Sequence, residues 1–430
     1  ILAQASLISC RCVRRVFRIG SVERAMYDVA VVGAGLIGSA TAKHLAKKGL
    51  KVALVGPSEA QGALGACYDE GRIYRIADPD KVWADLADFS IKEYQAIEKE
   101  AGESFHHETG FLAVGDPSMD YINQVQRTMS AFGTEGKDFF VYDKKEEFEE
   151  HFPFLRLSFE EHNWRGVWQP RKAGHLSPRS LAKIQAALAK RHGADVISAQ
   201  LESIQAEAEH WVLRMHQQRI EAQKVLIAAG WSTSWLSPET ASLQIQNQMS
   251  QAILLEVSEA LPAMPVMILK GPRDPEESWY ILPPITYPDG RTYLKMGYDG
   301  RALNKVLPTE HEAHAWMAGK EACAELFTVA EQMAKSFFPG IKFTGHCSSI
   351  VCITDDTQAN SEGQRRPYID HLGRGLAVAS GGNGWAAKSS EHIGWLACEM
   401  ISNPSGWATD ETSKSLFPKE LFRACYKPRL

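Results

Sequence analysis

The sequence predicts a mixed α/β fold, in which a Rossmann-type nucleotide-binding domain is interleaved with a β-rich second domain. Three observations predict it. Gly33, Gly35 and Gly38 form GxGxxG between a short apolar β run and a helical run. A second glycine-rich strand-to-helix turn, Gly381-Gly382-Asn383-Gly384, comes near the end of the chain. A β-rich block at residues 244–298 lies between them. Helices and β-rich blocks alternate throughout, which suits an interrupted nucleotide domain better than two sequential ones. The chain has 430 residues, more than one growing core supports, so two domains are expected.

Each element follows from local pattern. Residues 27–33, YDVAVVG, are apolar enough for a buried parallel strand. Residues 39–48 carry Ala, Leu and Lys at helical spacing, and 51–55 form a second β run. In this setting Gly33 permits the tight turn, Gly35 admits a pyrophosphate, and Gly38 lets helix and strand pack closely. The helix N-terminus, with Leu36 and Ile37, offers free N–H groups and a positive dipole end. Residues 83–101 and 179–192 read as helices, and 194–197, 211–215 and 224–228 as strands. Residues 308–338 read as one helix, 375–380 as a strand, and 384–401 as the last long helix.

Composition narrows the function classes. A net charge of -5 gives no basic field for nucleic acid. No run of about 18 apolar residues is present, so no membrane span is expected. The 8 cysteines are scattered without paired CxxC spacing, which fits neither a disulfide framework nor zinc, and no metal is expected. Residues 1–25 are rich in Arg with Glu23 as the acid. They read either as a mitochondrial transit peptide or as a leader or disordered arm before a start at Met26. The final Pro-Arg-Leu resembles a peroxisomal address. The compartment is therefore cytoplasmic or peroxisomal, or mitochondrial if the leader is a transit peptide.

A set of motifs, taken in order, resembles a known family. They are GAGLIG at 33–38, GRIYR at 71–75, LIAAGWSTSWL at 226–236, LKMGYD at 294–299, VCIT at 351–354 and GGNGWAAKSS at 381–390. The chain is similar to the FAD-dependent amine oxidases of the D-amino-acid-oxidase superfamily, in the branch of monomeric sarcosine oxidase and pipecolate oxidase. That resemblance implies a Rossmann-type FAD-binding domain at 26–110, 172–240 and 345–405. It implies a substrate-binding sheet domain at 111–171 and 241–344, with 406–430 as a tail. It also implies FAD tethered through Cys352, with Cys347 as the fallback, and Lys295 over the flavin, where its charge assists oxygen. Arg75 and Lys388 match the pair that holds a substrate carboxylate. Further flavin contacts fall at Arg72, Val196, Gly230, Trp231, Gly382, Asn383 and Gly384.

The departures bear on the substrate. Gly56 stands where the family carries a ribose-binding acid, and Ser58 and Glu59 follow as substitutes. Ala66-Cys67-Tyr68-Asp69 replaces a His-rich turn, Thr354 an aromatic residue, and Asp299 a His. The resulting acidic pocket favours a larger or more basic amine over sarcosine. The implied activity is oxidation of an amino acid or carboxylated amine by oxygen, in a monomer. Two alternatives stand beside it: a dehydrogenase using another acceptor, and a flavin-binding protein of low turnover in signalling or defence.

Overall fold

The computed structural model describes residues 26–57, 65–216, 218–257, 263–271, 278–299, 303–319, 321–403, 405–408 and 410–427, without the side chains of 345–347. The expected leader, Ser58, Glu59, the Cys347 side chain and the terminal Pro-Arg-Leu lie outside the described residues.

The first sheet is built around strand β1 (Tyr27–Val32). Helix α1 (Leu36–Lys47) carries the chain to β2 (Val52–Gly56), parallel to β1 and buried along its whole length. On its other side β1 pairs in parallel with the strand Gln218–Ile227. That strand in turn receives Leu376–Ser380, again in parallel. Segments from the start, middle and end of the chain thus form one sheet. Its strands are near-continuously apolar because helices and other elements cover them. Ala40 lies where a Cβ on Gly394 would come within 2.5 Å of its own Cβ, so α1 crosses the helix Ser390–Ser402 closely. The helix Pro178–Arg191 completes this layer, with the Ser177 hydroxyl accepting from the Ser180 N–H at 3.1 Å.

Among the described residues the second sheet has eight strands and is mostly antiparallel. Its longest pair joins Ile245–Val257 to Phe343–Thr357, which places Ser250 opposite Cys352. This corrects one expected boundary. The strand carrying Cys352 belongs to the second sheet along its full length, so the break at 345 cuts through an element. The nearby glycine turn suggested the nucleotide domain, but pairing with Ile245–Val257 decides the strand's place. A small third sheet joins β3 (Arg72–Tyr74) to Gly174–Leu176 and His106–Glu108.

Other differences are local. The helical stretch 308–338 is two helices, Glu310–Gly319 and Ala324–Phe337. The last helix begins one turn late, because residues Ala386–Ser389 form a 3-10 turn first. The helix over 83–101 starts earlier, as α2 (Lys81–Ala101), since the Asp80 carboxylate accepts the Val82 and Trp83 N–H groups.

Gly33 has φ +110°, and a Cβ there would lie 2.2 Å from the Ala228 carbonyl oxygen. Gly33→Ala is therefore expected to lower unfolding stability by about 2 to 4 kcal/mol through backbone strain and overpacking. Chemical denaturation measures this, and an unchanged midpoint would contradict the assigned packing.

Candidate active site

A cleft of about 1070 Å³ opens at the carboxyl ends of the parallel strands. Residues 33–37 line one end; Arg75, Cys352 and Lys388 line the other. The volume exceeds that of an ordinary small-molecule pocket, as a dinucleotide requires. The N-terminus of α1 has no side-chain cap and no acid in its first turn. A Cβ at Gly35 would meet nothing within 4 Å, so the turn leaves open space in front of those N–H groups. These residues fit the pyrophosphate of FAD. Gly38 is excluded from the lining, because a Cβ there would fall 1.9 Å from the Gly33 carbonyl oxygen. Its part is packing.

Gly56 has a steric reason to be glycine. A Cβ would lie 2.7 Å from the Ala34 nitrogen, so β2 closes directly against the first turn. A carboxylate at this position has no room without moving that turn.

Two buried carboxylates organise the other end. Asp69 is wholly buried. One of its oxygens accepts from the Tyr287 hydroxyl at 3.0 Å and the Glu70 N–H at 2.7 Å. The other is in close contact with Lys295 Nζ and Arg72 Nη1. Lys295 also donates to the Gly71 carbonyl at 2.9 Å. Burial and the Arg72 guanidinium push the Lys295 ammonium well below its ordinary pKa. Cys352 opposes that shift. Lys295 is 0% exposed and stands behind the cleft wall, while Arg72 forms the wall and reaches Cys352 Sγ at 3.7 Å.

Asp78 does the same for the other pair. Its Oδ2 accepts from Arg75 Nη1 at 2.9 Å and lies 3.0 Å from Lys388 Nζ. Arg75 and Lys388 come from β3's exit and from the last glycine turn, yet share one oxygen. Burial alone would raise the Asp78 carboxyl; Lys388 and Arg75 hold it below its ordinary value. Burial pushes the Lys388 ammonium down, with Asp78 opposing and Arg75 adding to the shift. Arg75 lies over the Phe111 ring at 4.8 Å and Lys388 over Trp83 at 5.4 Å. Arg75 Nε is buried, and the Tyr121 hydroxyl lies beside the Arg75 guanidinium. The loop after Arg75 is held by Gln169, whose Oε1 accepts from the Ile76 and Ala77 N–H groups at 3.1 and 2.8 Å.

The last glycine turn is fixed by Asp355, which accepts from Ser380 Oγ at 2.8 Å and from the Gly381 and Gly382 N–H groups at 2.7 and 2.9 Å. Asn383 takes φ +53° and its side chain accepts the Thr357 N–H at 2.9 Å. The Cys352 carbonyl accepts from Trp316 Nε1 at 3.1 Å, which fixes the strand beside the thiol.

The cleft thus gathers Gly33, Gly35, Leu36, Ile37, Arg72, Arg75, Gly230, Trp231, Cys352, Gly382, Asn383, Gly384 and Lys388 along one wall or another. Val196 does not join them. It pairs with Leu54 in mid-strand at the sheet edge, and Gln200, Leu201 and Glu202 line the cleft instead. Sequence reasoning missed Asp69, Asp78, Gln169 and Asp355. The spacing of Arg72 and Arg75 from Asp69 and Asp78, three residues each, was the available signal.

The model of the FAD dependent oxidoreductase family matches residues 28–400. The chain is 29% identical to peroxisomal sarcosine oxidase of Mus musculus over 132 residues, 31% of this chain and 33% of that protein. It is 30% identical to a probable sarcosine oxidase of Arabidopsis thaliana over 168 residues, 39% of each. It is 23% identical to monomeric sarcosine oxidase of Bacillus sp. (strain NS-129), over 54% of this chain and 59% of that protein. The first two matches span little more than a third of the relatives' length. Among solved structures, NikD, an unusual amino acid oxidase essential for nikkomycin biosynthesis, superposes with TM-score 0.72 at 18% identity, covering 94% of this chain and 99% of its own. Glycine oxidase from Geobacillus kaustophilus gives 0.67 at 19% identity, covering 90% and 99%. At these identities the structures share the fold. The family match runs from the first strand to the last long helix, and the chain belongs to the FAD dependent oxidoreductase family.

Proposed function

We propose that the chain oxidises the C–N bond of an amino acid, or of a carboxylated secondary amine, to an imine, with oxygen reduced to hydrogen peroxide. The amine loses two electrons and two protons, and oxygen takes up both. FAD, held by residues 33–37 and by the last glycine turn, supplies the two-electron redox chemistry. The observation that carries the reading is the convergence of Arg75 and Lys388 on one Asp78 oxygen at the same cleft.

That trio carries one net positive charge, which matches a single carboxylate. Asp78 keeps both cations aimed and reduces the penalty of burying them. Phe111 and Trp83 shield the cations from water, which strengthens their attraction for a ligand. Cys352, buried beside Arg72, is proposed as the covalent anchor of the cofactor. Lys295, one layer back, is proposed to favour negative charge on oxygen as it is reduced. The soluble small molecules involved are the amine and oxygen; among the described residues no helix is long and apolar enough to cross a membrane.

A visible spectrum of the purified protein tests the reading first. Anaerobic addition of N-methyl or cyclic amino acids is expected to bleach the long-wavelength flavin band, and no bleaching across a broad panel would sink it. Acid precipitation is expected to leave the flavin colour in the pellet, and Cys352→Ser to release it to the supernatant. A yellow Cys352→Ser pellet would assign the anchor elsewhere. Lys295→Met is expected to slow reaction with oxygen far more than anaerobic reduction. Equal slowing would limit Lys295 to holding Asp69 and Arg72.

A further inference from the structure

Among the described residues, one carboxylate at the substrate end of the cleft has no side-chain hydrogen bond or ion pair, and Lys270, Arg365 and Arg75 are its electrostatic neighbours. Asp299 follows the strand Thr292–Tyr298, and its N–H donates to the Ser278 carbonyl at 2.8 Å, which fixes the backbone. Its side chain opens into the cleft and is accessible there. Among the described residues it makes no side-chain hydrogen bond and no ion pair. The other carboxylates nearby are all engaged. Asp69 holds Lys295 and Arg72, and Asp78 holds Arg75 and Lys388. Asp355 holds the glycine turn, and Asp356 binds Arg365 at 2.6 Å.

Surrounding protein raises the Asp299 carboxyl above its ordinary value, with Lys270, Arg365 and Arg75 opposing. Arg365 is already committed to Asp356, and Lys270 lies over the Tyr121 ring at 5.1 Å. The carboxylate meets water in the empty cleft and is open there to a cationic group of a ligand. The charges at this end then form a pattern. The Arg75–Lys388–Asp78 trio presents one positive charge, and Asp299 presents one negative charge.

We propose that Asp299 binds a second, non-reacting cationic group of the substrate, so that the substrate class is a dibasic amino acid or other carboxylated amine with a distal ammonium or guanidinium. This rests on the function proposed above and names its substrate class. The carboxylate meets the trio, the distal cation meets Asp299, and the reacting amine lies between as the neutral base. A substrate with an apolar distal end leaves Asp299 desolvated and unpaired, which discriminates against it.

The test uses the flavin-loaded full chain and two ligands without an oxidisable α-amine, 4-guanidinobutanoate and hexanoate. Calorimetry is expected to show the guanidino acid binding at least about tenfold more tightly, the scale of one added ion pair. Asp299→Asn should remove that preference while leaving hexanoate binding unchanged. Anaerobic bleaching should likewise favour N-methyl-lysine over N-methyl-norleucine, and Asp299→Asn should erase the difference. Equal binding by the native protein, or a preference that survives Asp299→Asn, overturns the proposal. Bleaching by neutral and cationic amines alike overturns this inference and leaves the oxidase reading intact. Bleaching by neither amine counts against both.

Discussion

The Asp78 oxygen shared by Arg75 and Lys388 lets two desolvated cations stand at one end of the cleft. Each cation taken alone would be expelled toward water or would lose its proton, because burying an unpaired charge costs several kcal/mol. Asp69 repeats the arrangement for Arg72 and Lys295. In both cases the acid lies a few residues from one cation and far along the chain from the other. The local contact fixes the acid, and the distant one then docks against it. The site's geometry therefore depends on two carboxylates that do not themselves line the cleft.

These centres also join the two sheets. Asp69 and Arg72 belong to the segment around β3, whereas Lys295 comes from the strand Thr292–Tyr298 of the second sheet. Gln169, on the strand Arg165–Gln169, grips the backbone just after Arg75. Asp355, near the end of the strand that carries Cys352, holds the turn that leads to Lys388. A cleft between two sheets often closes or gapes as its walls shift. Here polar contacts to buried acids and to one buried amide tie the walls together, and these lose much of their strength if water enters.

How much of this was legible followed the reach of each signal. The first turn was plain because its causes are local: Gly33, Gly35 and Gly38 act on their own backbone. The ordering of motifs located Arg75, Cys352 and Lys388. Asp78 escaped notice because a carboxylate three residues after an arginine looks like any surface pair until Lys388 arrives. Lys295 was expected at the flavin face, yet Asp69 draws its ammonium behind the wall, and nothing in LKMGYD announces Asp69. The strand Phe343–Thr357 was divided because its last residues adjoin the glycine turn, while its register is set by Ile245–Val257. Gly56 read as a missing acid; in three dimensions it is a contact with Ala34.

The strand Leu376–Ser380 completes the parallel run by pairing with Gln218–Ile227, and Lys388 follows it. A ribosome making this chain therefore completes the site only after Lys388 has emerged. Until then the Gln218–Ile227 edge is open to stray pairing, and Asp78 holds Arg75 alone. Such long-range closure makes folding slow and leaves the nascent chain exposed to aggregation, so chaperone occupancy should matter most until that strand has emerged. A message truncated before that strand yields a chain with an intact glycine fingerprint but no assembled cleft.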